Sequence, residues 1–222
     1  MTYTKNEIAS MIDHTNLKAT ATSADIRRLC IEAIKYRFAS VCVNPAYVRL
    51  ASEMLKETQV TVCSVVAFPL GQLTIQEKVN EAMKVLEDGA REIDYVLNVA
   101  KAKEHDYDYI QEEMNRMREV ARMYNSKVKV IFETCYLSDE EIEKIAKIAS
   151  EVKPDFIKTS TGFGTGGATA EHVALMTRAA GGDVSVKASG GIRDLATTIE
   201  MINAGATRIG ASAGVAIIEE IE

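Results

Sequence analysis

Two lysines end short apolar runs that resemble buried strands. Lys158 follows Phe156-Ile157, and Lys187 follows Val184-Ser185-Val186. Burial and a nearby second cation both favour the neutral form of an amine, which is its nucleophilic form. The pair therefore predicts an enzyme that works through a Schiff base, with Lys158 as the nucleophile and Lys187 as the neighbouring charge.

An aspartate is predicted to share their site. Side chains alternate across a strand, so if Ile157 and Val186 face covering helices, both lysines face the other side. In 93–98 the large apolar side chains share one face, which leaves Asp94 on the other. Asp94 is expected to transfer protons or orient a water, and Lys129 would add a third lysine to the site. The alternative is a buried ion-pair cluster that only fills the interior.

Glycines mark a second feature, because 11 of the 13 glycines lie between residues 162 and 214. Loops after the last strands of α/β barrels often bind phosphate through backbone N–H groups. Ordinary tight turns are the alternative. The predicted phosphate site comprises Gly162, Gly190, Gly191, Gly210 and Ser212. Further substrate contacts are predicted at Thr159, Cys42 and Asp13.

The segment 162–167 formally matches the GxGxxG pattern of dinucleotide-binding proteins. That pattern requires an acidic residue about 20 positions further on, where this chain has Lys187. The segment is therefore interpreted as a flexible active-site loop.

The pattern of hydrophobic residues predicts the strands and helices that position these residues. Short β-branched runs alternate with segments of helical period, which is typical of βα units. Eight strands are expected, centred near Ile12, Val41, Val62, Val96, Val130, Ile157, Val186 and Ile209. The predicted fold is of the α/β class, a (β/α)8 TIM barrel formed as one domain by residues 1–222. A doubly wound open sheet is the alternative.

Helix starts are marked by capping-box patterns at Thr22, Thr74 and Ser138. The last of these begins an amphipathic helix over 139–149, and residues 4–10 are expected to form a further short helix. The sequences 89–93 and 205–209 both begin Gly-Ala and lie 116 positions apart. Helix termination at glycine explains this similarity more simply than duplication of half-barrels.

Composition excludes several functional classes. The chain of 222 residues has a formal net charge of -6 and a pI near 5.3, which argues against nucleic-acid partners. It has no run of 18 apolar residues, so we expect a cytoplasmic protein without a membrane partner. Its cysteines and histidines lack metal-ligand spacing, so neither a metal nor a cofactor is expected. His14 is interpreted as structural or, less simply, catalytic.

The chain resembles the deoxyribose-phosphate aldolase (DeoC) family of class I aldolases, whose motifs it contains in the order of that family. The resemblance spans nearly the whole chain and is carried by Ile12-Asp13-His14-Thr15-Asn16-Leu17-Lys18, Val41-Cys42-Val43-Asn44-Pro45, Phe68-Pro69-Leu70-Gly71, Glu92-Ile93-Asp94-Tyr95-Val96-Leu97-Asn98, Lys129-Val130-Ile131-Phe132-Glu133-Thr134, Phe156-Ile157-Lys158-Thr159-Ser160-Thr161-Gly162 and Val186-Lys187-Ala188-Ser189-Gly190-Gly191-Ile192-Arg193.

This resemblance implies reversible cleavage of 2-deoxy-D-ribose 5-phosphate into D-glyceraldehyde 3-phosphate and acetaldehyde. It implies that Lys158 forms the Schiff base and that Lys187 and Asp94 transfer protons. A homodimer or higher homo-oligomer is also implied. Two departures are Ala213, where some members carry a second serine, and an ending without their terminal tyrosine; either a substitute group or lower activity is expected. The alternatives are another imine-forming aldolase, such as a transaldolase-like enzyme, and a non-catalytic sugar-phosphate binder.

Overall fold

The eight predicted strands form a closed barrel. The computed structural model describes residues 3–221. Within them the strands are β1 Ile12–Asn16, β2 Ser40–Val43, β3 Thr61–Val66, β4 Glu92–Val96, β5 Lys127–Ile131, β6 Phe156–Lys158, β7 Ser185–Ser189 and β8 Ala206–Ala211. Each strand pairs in parallel with the next, and β1 also pairs with β8. The alternative of an open sheet is therefore wrong.

Helices alternate with the strands around the outside. They are α1 Lys5–Ala9, α2 Ser23–Tyr36, α3 Val48–Leu55, α4 Ile75–Glu87, α5 Val99–Lys103, α6 Tyr107–Met123, α7 Asp139–Val152, α8 Ala170–Ala180, α9 Leu195–Asn203 and α10 Gly214–Glu219. Short 3₁₀ turns at Pro45–Tyr47 and Thr134–Tyr136 follow β2 and β5. Among residues 3–221, none of the helices combines the length and apolar character needed to cross a bilayer.

Local sequence signals explain where several helices begin and end. Thr22, Thr74 and Ser138 form the predicted capping boxes. Helix α7 continues beyond residue 149 because Val152 extends its buried stripe. Gly89 and Gly205 follow the ends of α4 and α9 with φ of 113° and 116°, a region that glycine adopts without steric cost. Helix termination thus accounts for the repeated Gly-Ala pairs.

The protein has two buried regions, one apolar and one charged. Between the strands and the helices lies a continuous apolar core, to which Ile157 and Val186 contribute as predicted. Inside the barrel, charged side chains replace the branched apolar residues that usually fill this axis. Because burying charge is costly without partners, the axis of this barrel must contain a paired network.

Candidate active site

Lys158 and Lys187 lie opposite each other on β6 and β7, as paired Cα positions. Their Nζ atoms donate to the same carboxylate oxygen, Oδ2 of Asp94, at 2.8 and 2.7 Å. Lys158 is 3% exposed, and the other two residues are fully buried. The structure thus brings together the three residues for which the sequence predicts catalytic roles.

A further layer of charge supports this trio. Lys129 lies on β5 with its Nζ 2.7 Å from Asp94 Oδ1 and 2.6 Å from Glu92 Oε2. Arg208 on β8 donates to Glu92 at 2.9 Å and to Asp13 at 2.6 Å. Asp13 in turn accepts a hydrogen bond from Lys187 at 2.5 Å. The contacts form one continuous network from β1 to β8.

Its charges do not balance when every group is ionised. In the described part of the chain the network contains four basic side chains, Lys129, Lys158, Lys187 and Arg208, and three carboxylates, Asp13, Glu92 and Asp94. One basic group is therefore in excess. Lys187 has both Asp13 and Asp94 as partners, whereas Lys158 is paired with Asp94, which it shares. Removing the proton of Lys158 would leave three cations facing three anions.

Neighbouring charges fix the ionisation of the rest. Burial alone would raise the pKa of Asp94, but Lys129, Lys158 and Lys187 hold that pKa well below its ordinary value. Burial alone would lower the pKa of Lys187, but Asp13 and Asp94 raise it. The opposing effects on Lys129 also leave its pKa well above the ordinary value. Asp94, Lys187 and Lys129 are consequently ionised at neutral pH.

A cavity of about 470 Å³ opens above this network. Among the described residues of the charged network, Lys158 alone lines it. The cavity wall also contains all the residues predicted to bind phosphate, which are Gly162, Gly190, Gly191, Gly210 and Ser212. An amine at the floor and a glycine-rich wall above it are the arrangement that the sequence predicts.

Glycines are required where the loops of this wall approach each other. Gly190 has a φ of 87°, and a Cβ atom on Gly167 would lie 2.2 Å from the Gly190 carbonyl oxygen. Gly162 lies on the other side, where a Cβ atom would be 3.9 Å from the Gly190 Cα. The loops after β6 and β7 therefore meet backbone to backbone, at a distance that a side chain on Gly167 would prevent.

Three predicted substrate contacts lie elsewhere. In the described chain Thr159, Cys42 and Asp13 do not line the cavity. The Thr159 hydroxyl donates to the Ser189 carbonyl and accepts from the Ser189 N–H, both at 3.1 Å. Cys42 packs in a small apolar cluster with Leu17. Asp13 lies below the cavity in ion pairs with Lys187 and Arg208.

His14 lies at the edge of the same cavity. Its Nε2 is 2.7 Å from Glu32 Oε2 on α2, and its ring packs against Phe38. Burial is the largest influence on its pKa and lowers it. This environment supports the structural interpretation of His14.

Cys42, Cys63 and Asp94 form the one group of potential metal ligands among residues 3–221, with ligand atoms within 4.8 Å of one another. The Nζ atom of Lys129 lies 3.3 Å from Cys63 Sγ and 2.7 Å from Asp94. This ammonium group would repel a metal cation. Cys63 and Asp94 therefore surround the ammonium group of Lys129, in the place that a metal ion would need.

Sequence reasoning misses Glu92 and Arg208. These two residues occupy matching positions in the repeated segments 89–93 and 205–209, and they form an ion pair across the barrel. The signal in the sequence that could have indicated this ion pair is the opposite charge of two residues at matching positions, 116 residues apart. The signal is indirect, since only the closed barrel brings the two positions together.

Comparisons with known proteins agree with this geometry. The sequence matches the family model described as DeoC/LacD family aldolase over residues 8–220. It is 55% identical over 214 residues to a protein named deoxyribose-phosphate aldolase from Caldanaerobacter subterraneus subsp. tengcongensis, covering 96% of this chain and 93% of the relative.

Solved structures give the same result. A putative deoxyribose-phosphate aldolase from Coccidioides immitis superposes with a TM-score of 0.93 at 41% identity, covering 97% of this chain and 85% of that one. A deoxyribose phosphate aldolase from Aeropyrum pernix, described as tetrameric, superposes with a TM-score of 0.91 at 34% identity, covering 97% and 91%. This chain is an enzyme that belongs to the DeoC/LacD family of aldolases.

Proposed function

We propose that Lys158 forms a Schiff base during reversible cleavage of 2-deoxy-D-ribose 5-phosphate to D-glyceraldehyde 3-phosphate and acetaldehyde. The observation that carries this assignment is the position of Lys158 at the cavity floor, above Asp94 and Lys187. An amine that must meet a carbonyl has to reach the cavity. The relatives named deoxyribose-phosphate aldolase support the choice of substrate.

Addition requires Lys158 in its neutral form. A free lysine is protonated at neutral pH, but the network contains one basic group more than it has carboxylates. When Lys158 releases its proton, the three remaining cations of the network match its three carboxylates. Neutral Lys158 adds to the aldehyde carbon of the sugar and gives a carbinolamine. An acid group protonates the carbinolamine hydroxyl, and its departure as water leaves a protonated imine.

Cleavage follows because the protonated imine withdraws electrons from the adjacent carbon–carbon bond. A base takes the C3 hydroxyl proton, the C2–C3 bond breaks, and its electron pair forms an enamine as D-glyceraldehyde 3-phosphate leaves. The enamine then takes a proton on carbon. Water adds to the resulting imine, and acetaldehyde is released with Lys158 restored.

Asp94 and Lys187 are suited to moving these protons. The Asp94 carboxylate lies within hydrogen-bond distance of both amines, so one oxygen connects the reacting nitrogen to a protonated lysine beneath it. An acid–base group must lie within about 2.6–3.2 Å of the heavy atom that carries the proton, or act through one water. The trio meets this requirement at Lys158 Nζ.

The 5-phosphate is assigned to the glycine-rich wall. Backbone N–H groups in tight turns bind anions without adding a formal charge. Gly190, Gly191 and Ser212 line the same cavity as Lys158. Anchoring the phosphate there would hold the aldehyde end of an open-chain sugar towards the floor.

Borohydride trapping tests the central assignment. Acetaldehyde and borohydride should leave an ethyl group on the peptide that contains Lys158, identified by mass spectrometry. Lys158→Leu should lose both label and turnover, while the exposed Lys147→Leu should keep both. A label on another lysine, or turnover without a label, would contradict the proposal.

Three further measurements separate the alternatives. Activity with donors other than acetaldehyde would favour a different imine-forming aldolase. Thermal stabilisation by phosphate without any aldol activity would favour a sugar-phosphate binder. Activity that a chelator abolishes would point to metal chemistry in place of Lys158.

We also propose that the chain assembles into a homo-oligomer. The support is the Aeropyrum pernix relative, whose structure is described as tetrameric. Light scattering coupled to size-exclusion chromatography gives the mass directly, and a mass equal to that of one chain would refute this proposal.

A further inference from the structure

Glu133 follows the end of β5 and is buried, with 2% exposure. Among residues 3–221, no cationic side chain lies within 4.0 Å of its carboxylate. Its backbone has φ 56° and ψ 61°, the left-handed region that non-glycine residues adopt only at an energetic cost. A buried carboxyl group on a strained backbone needs a specific partner.

That partner is Thr161, three positions after Lys158. Glu133 Oε1 accepts the Thr161 backbone N–H at 3.1 Å, and Oε2 accepts the Thr161 hydroxyl. The Thr161 hydroxyl oxygen also accepts the Phe163 N–H at 3.0 Å. One carboxyl group therefore fixes the start of the loop between β6 and α8, here called the β6–α8 loop (159–169).

The β6–α8 loop is held between two surfaces. On one side, a Cβ atom on Gly164 would lie 3.2 Å from the Glu133 carboxyl carbon. On the other side, Gly162 and Gly167 pack against Gly190. Thr161 and Gly162 themselves line the cavity. Loss of the contacts with Glu133 would therefore let the β6–α8 loop move, and this loop forms part of the wall to which the substrate phosphate is assigned.

Lys158 does not depend on this carboxyl group. Its backbone carbonyl accepts the Phe132 N–H at 2.9 Å, and the Thr159 carbonyl accepts the Thr134 N–H at 3.0 Å. These main-chain bonds hold β6 beside β5 whatever side chain residue 133 carries. The Lys158 amine is paired with Asp94.

We propose that Glu133 is a positioning residue: through Thr161 it fixes Gly162 as a wall of the phosphate site, and it acts on phosphate recognition without acting on Schiff-base chemistry. The proposal rests on the proposed function, since the phosphate is that of the proposed substrate. It predicts that loss of the carboxylate separates KM for the phosphorylated sugar from turnover.

Glu133→Gln tests this separation. The amide has a single acceptor oxygen, so it can accept either the Thr161 N–H or the Thr161 hydroxyl but not both. Loss of one hydrogen bond to a carboxylate is of the size that changes binding about tenfold. KM for 2-deoxyribose 5-phosphate and the competitive inhibition constant of inorganic phosphate should both rise by about that factor. The specificity constant for unphosphorylated 2-deoxyribose should change by less than about twofold.

Matched variants identify the route of the effect. Thr161→Val should reproduce the Glu133→Gln effect, whereas Thr161→Ser keeps the hydroxyl that Glu133 accepts and should raise KM and the phosphate inhibition constant by less. The double variant Glu133→Gln/Thr161→Val should be no worse than either single variant, because contacting residues are not additive. Glu143→Gln, an exposed change on α7, controls for charge.

Parallel losses with both sugars would overturn the proposal, because they would show a general structural or catalytic effect. Unchanged phosphate inhibition in Thr161→Val would overturn it as well, and this variant provides the test if Glu133→Gln does not fold. If wild-type protein cleaves neither sugar but Glu133→Gln still weakens inorganic phosphate binding, the proposed function fails and the positioning role stands.

Discussion

Lys158 and Lys187 share one acceptor, Asp94 Oδ2, from directly opposite positions on β6 and β7. Lys158, the proposed nucleophile, and Lys187 beneath it are therefore coupled through a single oxygen. Asp13 provides Lys187 with a second carboxylate, whereas Lys158 reaches the cavity. This asymmetry distinguishes two lysines that the sequence presents in similar settings.

Asp94→Asn should reduce turnover strongly with little change in fold. The amide has nearly the same shape, but it cannot accept a proton or balance the lysines. Positioned acid–base groups contribute about 10²–10⁴-fold to rate, and we expect kcat to fall by a factor in this range. Steady-state kinetics and circular dichroism check the result, with Asp183→Asn at an exposed ion pair as the control. A folded variant with near-normal kcat would remove Asp94 from the mechanism.

Lys129→Met should change the pH dependence of the reaction. Burial raises the pKa of Asp94, and Lys129 is the strongest of the cations that oppose it. Removing Lys129 should therefore raise the pKa of Asp94, so that the carboxylate becomes protonated at higher pH than before. The acid limb of the plot of kcat/KM against pH should therefore move to higher pH.

Lys127→Met is the matched control for that experiment. Lys127 is on the same strand but is exposed, so its loss should leave the acid limb in place. An unchanged acid limb in a folded Lys129→Met protein would show that another group controls it.

Alternation along strands is sufficient to predict which side chains enter the barrel. Ile157 and Val186 pack outside, and Lys158, Lys187 and Asp94 point inward. This prediction is local, because the two-residue period depends only on neighbouring residues.

Depth along the barrel axis cannot be predicted in the same way. Closing a barrel staggers the strands by an amount that depends on the whole sheet. The sequence predicts a substrate contact for Asp13, but this residue lies below the cavity against Lys187 and Arg208. Glu92 and Arg208 escape sequence reasoning for the same reason, since their contact exists only across the closed barrel.

Lys78 and Glu113 form a second buried pair, at 2.6 Å between α4 and α6 with no exposed side-chain surface. Lys78 also donates to the Val96 carbonyl, and Glu113 accepts the Asn98 N–H, so the pair supports the end of β4. Lys78→Met would leave Glu113 unpaired, in a site where burial already raises its pKa. We expect a loss of about 3–5 kcal/mol in the free energy of unfolding.

Lys78→Met/Glu113→Leu should recover part of that loss. The unpaired carboxyl is gone, but the Val96 carbonyl still lacks its partner and the Asn98 N–H now loses one as well. Each unsatisfied group costs about 1–3 kcal/mol, so the recovery is only partial. Urea unfolding of the single and double variants measures both values. A single variant as stable as wild type would show that the pair contributes nothing.

Gly210→Ala should impair catalysis by crowding Lys187. A Cβ atom at this position would lie 2.9 Å from Ser189 Cβ and 3.0 Å from Lys187 Cε. Lys187 cannot move away easily, because Asp13 and Asp94 both hold its amine. We expect destabilisation of about 1–3 kcal/mol from overpacking and a fall in kcat of about tenfold, the effect of about 1.4 kcal/mol on the barrier.

Gly182→Ala separates crowding from backbone strain. Gly182 has a φ of 87°, and a methyl group there would meet no atom within 4 Å beyond its chain neighbours, so alanine should lower the melting temperature while kcat stays unchanged. Thermal unfolding and saturating kinetics on both variants make the comparison. If Gly210→Ala loses stability but keeps its turnover, the added methyl group does not displace Lys187 from its working position, and the expected loss of catalysis is wrong.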